Sequence, residues 1–155
     1  MQLAQLNIAR LLAPLDSPQL SGFVSRLDEI NALAEGSTGF VWRLTGEGND
    51  ATSLRPFEDD MIIVNMSVWE SLDALKNYVY RTDHTEVMKQ RKQWFEHMSE
   101  AYMVLWWIED GDFPSPLEAR ARLEHLRTHG PTPHAFTFRQ HFPAEAIKNP
   151  PVLEG

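Results

Sequence analysis

Two side chains on one helical stripe, His84 and Arg91, are the residues of this chain best placed for chemistry. His84, Met88, Arg91, Phe95 and Met98 recur at i, i+4, i+7, i+11 and i+14. That spacing puts all five on one face of a helix predicted over residues 84–98, with Glu86, Lys89, Gln90, Gln93 and Glu96 opposite. A His and an Arg on a stripe that should be apolar each need a partner, a water or a ligand, because burying either alone is costly. An imidazole there can serve as a general base, and a guanidinium can clamp an anion or a carbonyl oxygen. The plainer alternative is that His84 caps the helix and Arg91 pairs with a carboxylate, burying only its stem.

Asn7 and Asn65 are the next anomaly, each a polar residue inside an otherwise apolar strand. An amide projecting into a pocket can orient a substrate oxygen or dioxygen; the alternative is an amide satisfied by backbone. If the two strands are neighbours, the amides can converge, although parity within each strand does not fix this. Large rings are plentiful: Trp42, Trp69, Trp94, Trp106 and Trp107, with Phe40, Tyr78 and Tyr80, offer walls for a planar ligand, although most such rings simply build core. His125 and His129 have the i, i+4 spacing of metal ligands. They close a helix, however, where the macrodipole favours histidine, so no metal site is expected. Gly46 and Gly48 lie in a polar loop and not at a strand-to-helix turn, so no phosphate-binding loop is read there.

The elements that must position these residues follow from periodicity. Residues 3–12 read as a strand with Leu3, Gln5, Asn7 and Ala9 on one face. Ser17 and Pro18 supply a helix start, and Leu20, Phe23, Val24, Leu27, Ile30 and Ala34 form its apolar stripe up to Gly36. Residues 39–45 read as a strand with Phe40, Trp42 and Leu44 on one face, and 46–59 as a loop. The nearly continuous apolar run 61–68 reads as a central strand. Helices over 70–80 and 84–98, a strand over 101–109, a helix opened by the capping box at Ser115 and Glu118 and ended near Gly130, and a last strand over 134–142 complete the order. Residues 1–142 thus form one domain, and 143–155 a proline-rich tail. The β-α-β-β-α-β core is the ferredoxin-like, α+β arrangement: an antiparallel sheet with helices on one face, plus an extra C-terminal helix and strand. The other face of such a sheet needs cover, and a second copy of the chain is the economical way to provide it, so a homodimer is expected.

Composition narrows the partners. With 155 residues the chain can bury a core without staples, and it has no cysteine, which removes disulfides and thiolate chemistry. A net charge of −8, from 14 basic and 22 acidic side chains, argues against nucleic acid. No apolar run is long enough to span a bilayer and no leader-like segment opens the chain, so a cytoplasmic location and no membrane partner are expected.

The stretch Val64-Asn65-Met66-Ser67-Val68-Trp69-Glu70-Ser71, followed by His84, resembles the antibiotic biosynthesis monooxygenase superfamily. More specifically, Tyr80-Arg81-Thr82-Asp83-His84, Trp94-Phe95, Val104-Leu105-Trp106-Trp107 and the run from Gly130 to Phe138 look like the bacterial family known as domain of unknown function 3291. The resemblance spans residues 3–142. It implies a dimeric α/β barrel and, from the wider superfamily, oxygenation without a cofactor. In that chemistry a base takes an acidic proton and the electron-rich substrate reacts with dioxygen itself. His84, Asn7 and Asn65 would then be the catalytic set. Arg91, Trp69, Tyr80, Trp94, Trp106 and Phe40 would touch a small apolar or aromatic substrate. Haem binding or haem breakdown is the second expectation, since haem-degrading enzymes share the barrel. Asn7 and His84 stand in plausible places for it, but Tyr78 or Tyr80 stands where a Trp is expected. A dimeric protein that binds a ligand without catalysis is the third.

Overall fold

The computed structural model describes residues 1–46, 50–80 and 90–148. Strands β1 (Gln2–Arg10), β2 (Phe40–Arg43), β3 (Ile62–Trp69) and β4 (Met103–Ile108) form one antiparallel sheet in the order β2-β3-β1-β4. Helices α1 (Ser21–Glu35), α2 (Leu72–Val79), α3 (Pro116–His129) and the short α4 (Glu145–Lys148) complete the described elements, with a 3₁₀ turn over Pro18–Leu20 and a helical turn over residues 90–94. This is the ferredoxin-like α+β frame expected from the sequence.

Local chemistry explains the element boundaries. Ser71 and Ser115 cap α2 and α3 by accepting from the amides of Ala74 and Glu118, and Gly130 closes α3 at a φ of 73°. Ser17 differs: its hydroxyl donates back to the Pro14 carbonyl, and a 3₁₀ turn precedes the helix proper. Gly39 occupies a φ of 85°, and a Cβ there would sit 2.4 Å from that of Ala74, so only glycine lets β2 start against α2.

Period-two alternation divides the sheet into two unlike faces. On one, Ala4, Leu6, Ile8, Val64, Met66, Val68, Val104 and Trp106 are buried and wholly apolar. Ala119, Leu123 and Leu126 of α3 pack on this face, with Ala51, Leu54 and Phe57 from the long loop. The cover that a second subunit was expected to supply thus comes from the chain's own C-terminal helix. The other face meets α1 and α2. Leu33 and Ala34 pack with Leu3 and Trp69, and Phe23 packs with Ala9 and Ile63, so α1 runs along β1 in the opposite direction.

Three expectations are corrected. The helix over 84–98 ends at Trp94, because Phe95 bridges Leu11 and the amides of Leu12 and Glu96 bond to the carbonyls of Trp94 and Arg10. Capture of the Phe95 ring, 4.9 Å from Phe23 and edge-on to it, outweighs another helical turn, and Met98 leaves the Arg91 stripe. The strand over 134–142 is reduced to isolated bridges at Phe136 and Ala135, since a tight turn joins Thr132 to Ala135 and a second turn, in which the amides of Thr137 and Gln140 bond to the Gln140 carbonyl and the Thr137 hydroxyl, follows at once. Finally, β2 carries a bulge between Phe40 and Trp42, which pair with Trp69 and Val68. One extra residue reverses the alternation, so Phe40 and Trp42 lie on opposite faces and Arg43 joins the face of Phe40.

Candidate functional site

The face that meets α1 and α2 is apolar at both ends and polar in the middle. Leu3 and Trp69 stand at one end, Ala9 and Ile63 at the other, and Gln5, Asn7, Asn65 and Ser67 lie between them. Register makes the polar group compact: Asn7 is directly opposite Asn65, and Gln5 opposite Ser67. Gln5 Nε2 donates to Asn65 Oδ1 and to Ser67 Oγ, both at 2.8 Å, while Asn7 Nδ2 donates to Asn65 Oδ1 and Gln5 Oε1, both at 3.2 Å. Trp69 Nε1 also donates to Ser67 Oγ at 2.8 Å.

These bonds leave specific valences open. Ser67 Oγ already accepts twice, so its own proton is directed elsewhere. With the amides oriented as this network requires, Asn65 Nδ2 and Asn7 Oδ1 have no protein partner among the described residues. A donor and an acceptor are therefore held side by side at the centre of the sheet.

Above them lies a cavity of about 250 Å³. Its floor is the polar quartet with Ala9, Ile63 and Met103. Phe23, Leu27, Ile30 and Asn31 of α1 form one wall, and Leu75, Tyr78 and Val79 of α2 another. Arg43, Leu44, Val64, the 50–52 segment, Arg91, Phe95 and Tyr102 complete the described lining. The volume lies just below the roughly 300–1,000 Å³ of pockets for drug-sized ligands, and suits a molecule of one or two fused rings.

The titratable groups of the described lining are Tyr78, Tyr102, Arg43, Arg91 and Asp50. Burial pushes the Tyr78 phenol up to about 12, so at neutral pH it is a neutral hydrogen-bonding group and not a base. Arg43 pairs with Glu35 at 3.2 Å. Asp50 accepts from the amide and the hydroxyl of Thr52. Arg91 lies over the rings of Tyr102 and Phe95, 4.8 and 5.5 Å from their centroids.

Asn31 is the least satisfied of the lining residues. It is only 7% exposed, and its amide has no hydrogen-bond partner among the described residues. Trp106 Nε1 is the one buried side-chain polar atom without a partner among the described residues, so the Asn31 amide faces the cavity and not a closed core. Water in the cavity can take the amide's bonds, and Asn31→Leu should therefore change the stability of the free protein by less than about 1 kcal/mol. A melting temperature that falls by more than a few degrees would mean that the amide is held by the protein itself.

The structure sorts the residues singled out by sequence. Asn7, Asn65 and Arg91 line the cavity; His84 lies outside the described residues. The five aromatic residues expected to touch a ligand stand elsewhere. Trp69 is fully buried behind the wall, stacked on Tyr78 at 5.1 Å, with Phe40 edge-on to it at 5.5 Å. Trp94 is buried against Phe23 and Gly22, and Tyr80 points outward with 67% exposure. Trp106 lies on the opposite face beneath α3, its Nε1 buried without a partner and Arg122 5.9 Å from its ring. Trp107, on the cavity-side face, is held at the edge by Phe136 and by its bond to the Phe142 carbonyl. Gln5, Ser67 and Asn31 were not singled out, although each is a polar residue at a strand or stripe position that periodicity turns inward.

The rings of His125 and His129 lie 4.4 Å apart at a tilt of 43°, and His125 Nε2 is 3.2 Å from Thr132 Oγ1. Burial, and then His129, His134 and Arg122, hold the His125 imidazole below its ordinary pKa. Among the described residues no cluster of three or more His, Cys, Asp or Glu side chains could hold a metal ion. No described helix is long and apolar enough to cross a membrane.

Solved structures share this fold. Rv0793 from Mycobacterium tuberculosis superposes with a TM-score of 0.53 at 12% identity, covering 73% of this chain and 100% of its own. SnoaB, a cofactor-independent oxygenase from Streptomyces nogalater, gives 0.50 at 15% identity, with 72% and 96% covered. A conserved protein from Methanosarcina mazei Go1 gives 0.51 at 8% identity, with 70% and 94% covered. At such identities the likeness is one of fold. No curated protein matches the chain in sequence. The family model for domain of unknown function 3291 matches residues 2–151, and the chain belongs to that family.

Proposed function

We propose that the cavity binds a small aromatic molecule bearing an oxygen function, and that the protein oxygenates it without a cofactor. The observation that carries this reading is the pair of facing amides, Asn7 and Asn65, held by Gln5 under an otherwise largely apolar cavity. A polar network at the centre of a core face costs stability unless its open valences meet a ligand or water. Here Asn65 Nδ2 can donate to a carbonyl or an enolate oxygen, while Asn7 Oδ1 accepts from a neighbouring hydroxyl. A ligand that fills the space between the apolar walls displaces water from this floor, which strengthens those bonds as charge develops on the oxygen.

Removal of an acidic proton would leave an electron-rich anion that reacts with dioxygen directly. The fold shared with SnoaB, itself a cofactor-independent oxygenase, supports that chemistry as a reading. His84 keeps the part of base that its sequence position suggested, and Tyr78, with its raised pKa, does not take it. Haem gains no support from the cavity, which is small and has no imidazole among its described lining residues. With α3 over the second face of the sheet, the cavity needs no second copy of the chain to complete the core, and binding is assigned to the single chain.

Oxygen uptake by chelator-treated protein, offered a series of enolisable aromatic ketones and dihydroxynaphthalenes, tests the reaction. Uptake dependent on substrate is expected, with His84→Ala lowering it by roughly 10²–10⁴-fold while substrate binding persists. Uptake equal to that of a boiled control across the series would refute the oxygenase reading.

A further inference from the structure

We propose that the molecule bound in this cavity is an anion, an aromatic carboxylate whose charged group is held by Arg91. The inference rests on the cavity-binding reading above and adds the charge of the ligand to it. Arg91 differs from most arginines of the chain in what holds it. Arg10, Arg26, Arg43, Arg120, Arg122 and Arg127 each pair with a carboxylate within 4.0 Å. Arg91 has no carboxylate partner among the described residues and lies over two aromatic rings instead, those of Tyr102 and Phe95.

In a chain with 22 acidic and 14 basic side chains, a cation left without a carboxylate at a cavity wall is conspicuous. The ring contacts take up none of its N–H groups, and Arg91 makes no hydrogen bond or ion pair among the described residues, so those groups remain available for a two-pronged bond to a carboxylate. Position agrees with this part. Arg91, Phe95 and Tyr102 line both the inner cavity and a wider outer hollow of about 940 Å³, so the charge stands where a ligand passes from one to the other. The other charged groups of the described lining are already engaged, Arg43 by Glu35 and Asp50 by Thr52. A carboxylate on Arg91 thus brings the rings of the ligand over Asn7 and Asn65, while Asp50, the one carboxylate of the described inner lining, is turned to the amide and hydroxyl of Thr52.

A matched pair of probes separates charge from shape. Binding of 2-naphthoate and of its neutral isostere 2-naphthamide is followed by calorimetry at low and high salt, with wild type, Arg91→Gln and Arg91→Lys. Wild type is expected to prefer naphthoate by roughly tenfold or more at low salt, and less as salt rises. Arg91→Gln should bring the two affinities within roughly twofold of each other, chiefly by weakening that of naphthoate. Arg91→Lys should keep part of the preference, since it retains charge and loses the planar fork. Equal binding of both probes by wild type, or a preference that survives in Arg91→Gln, overturns the proposal while leaving the cavity reading intact. Binding of neither probe overturns both. The wild-type salt dependence carries the test should a variant fail to fold.

Discussion

Trp69→Ala is expected to destabilise the protein by about 3–5 kcal/mol, a large share of the stability of a domain this size, and to loosen the cavity as it does so. The side chain is fully buried and is held by three unlike contacts. Its face stacks on Tyr78, its edge meets Phe40, and its Nε1 donates to Ser67 Oγ at 2.8 Å. Truncation would leave a void too well framed by β1, β3 and α2 to collapse. It would also free two groups that line the cavity, the Ser67 hydroxyl and the Tyr78 ring. Trp69→Phe separates packing from hydrogen bonding: it keeps most of the ring contact, loses the indole N–H, and should cost only about 1–2 kcal/mol. Urea denaturation of both variants is the check. Trp69→Ala within 1 kcal/mol of wild type would show that this ring is no keystone of the wall.

The role of Trp69 shows what the sequence could and could not convey. Its size and place at the end of an apolar strand made it visible as an important ring, but nothing in the sequence distinguishes a ring that touches ligand from one that supports a ring that does. The same holds for Trp94, Trp106 and Phe40, whose faces depend on packing and, in β2, on a bulge with no sequence mark. Polar residues were easier to read. Asn7 and Asn65 stood out because each interrupts an otherwise apolar strand with a side-chain amide, and alternation placed Asn7 on a definite face. The same logic extends two residues along each strand, to Gln5 and Ser67, and to Asn31 between Leu27 and Ala34 on the inner stripe of α1. These positions were legible and passed over. The end of the helix at Trp94 and the docking of α3 on the far face were not legible, since both are decided by tertiary contacts between distant segments.

Asn65→Ala is expected to weaken ligand binding by roughly 10–100-fold while changing stability by less than about 1 kcal/mol. The asymmetry follows from where the side chain sits. Asn65 Oδ1 is the acceptor on which Gln5 and Asn7 converge, so its loss lets both amides turn and removes the donor offered by Nδ2. Asn65 is exposed, however, and water can take over the bonds in the free protein. Asn65→Asp is the informative companion. It keeps the acceptor and replaces the free N–H group with negative charge, so it should preserve the fold and still lose a ligand that presents an oxygen.

Side-chain amide NMR of the ¹⁵N-labelled protein during titration with 2-naphthol, repeated with Asn65→Ala, observes those groups themselves. Saturable shifts confined to Gln5, Asn7, Asn31 and Asn65 are predicted for the wild type, and their disappearance for the variant at the same ligand concentrations. Amide signals that stay unmoved while the probe binds elsewhere, or that shift equally in the variant, would contradict a ligand site on this floor.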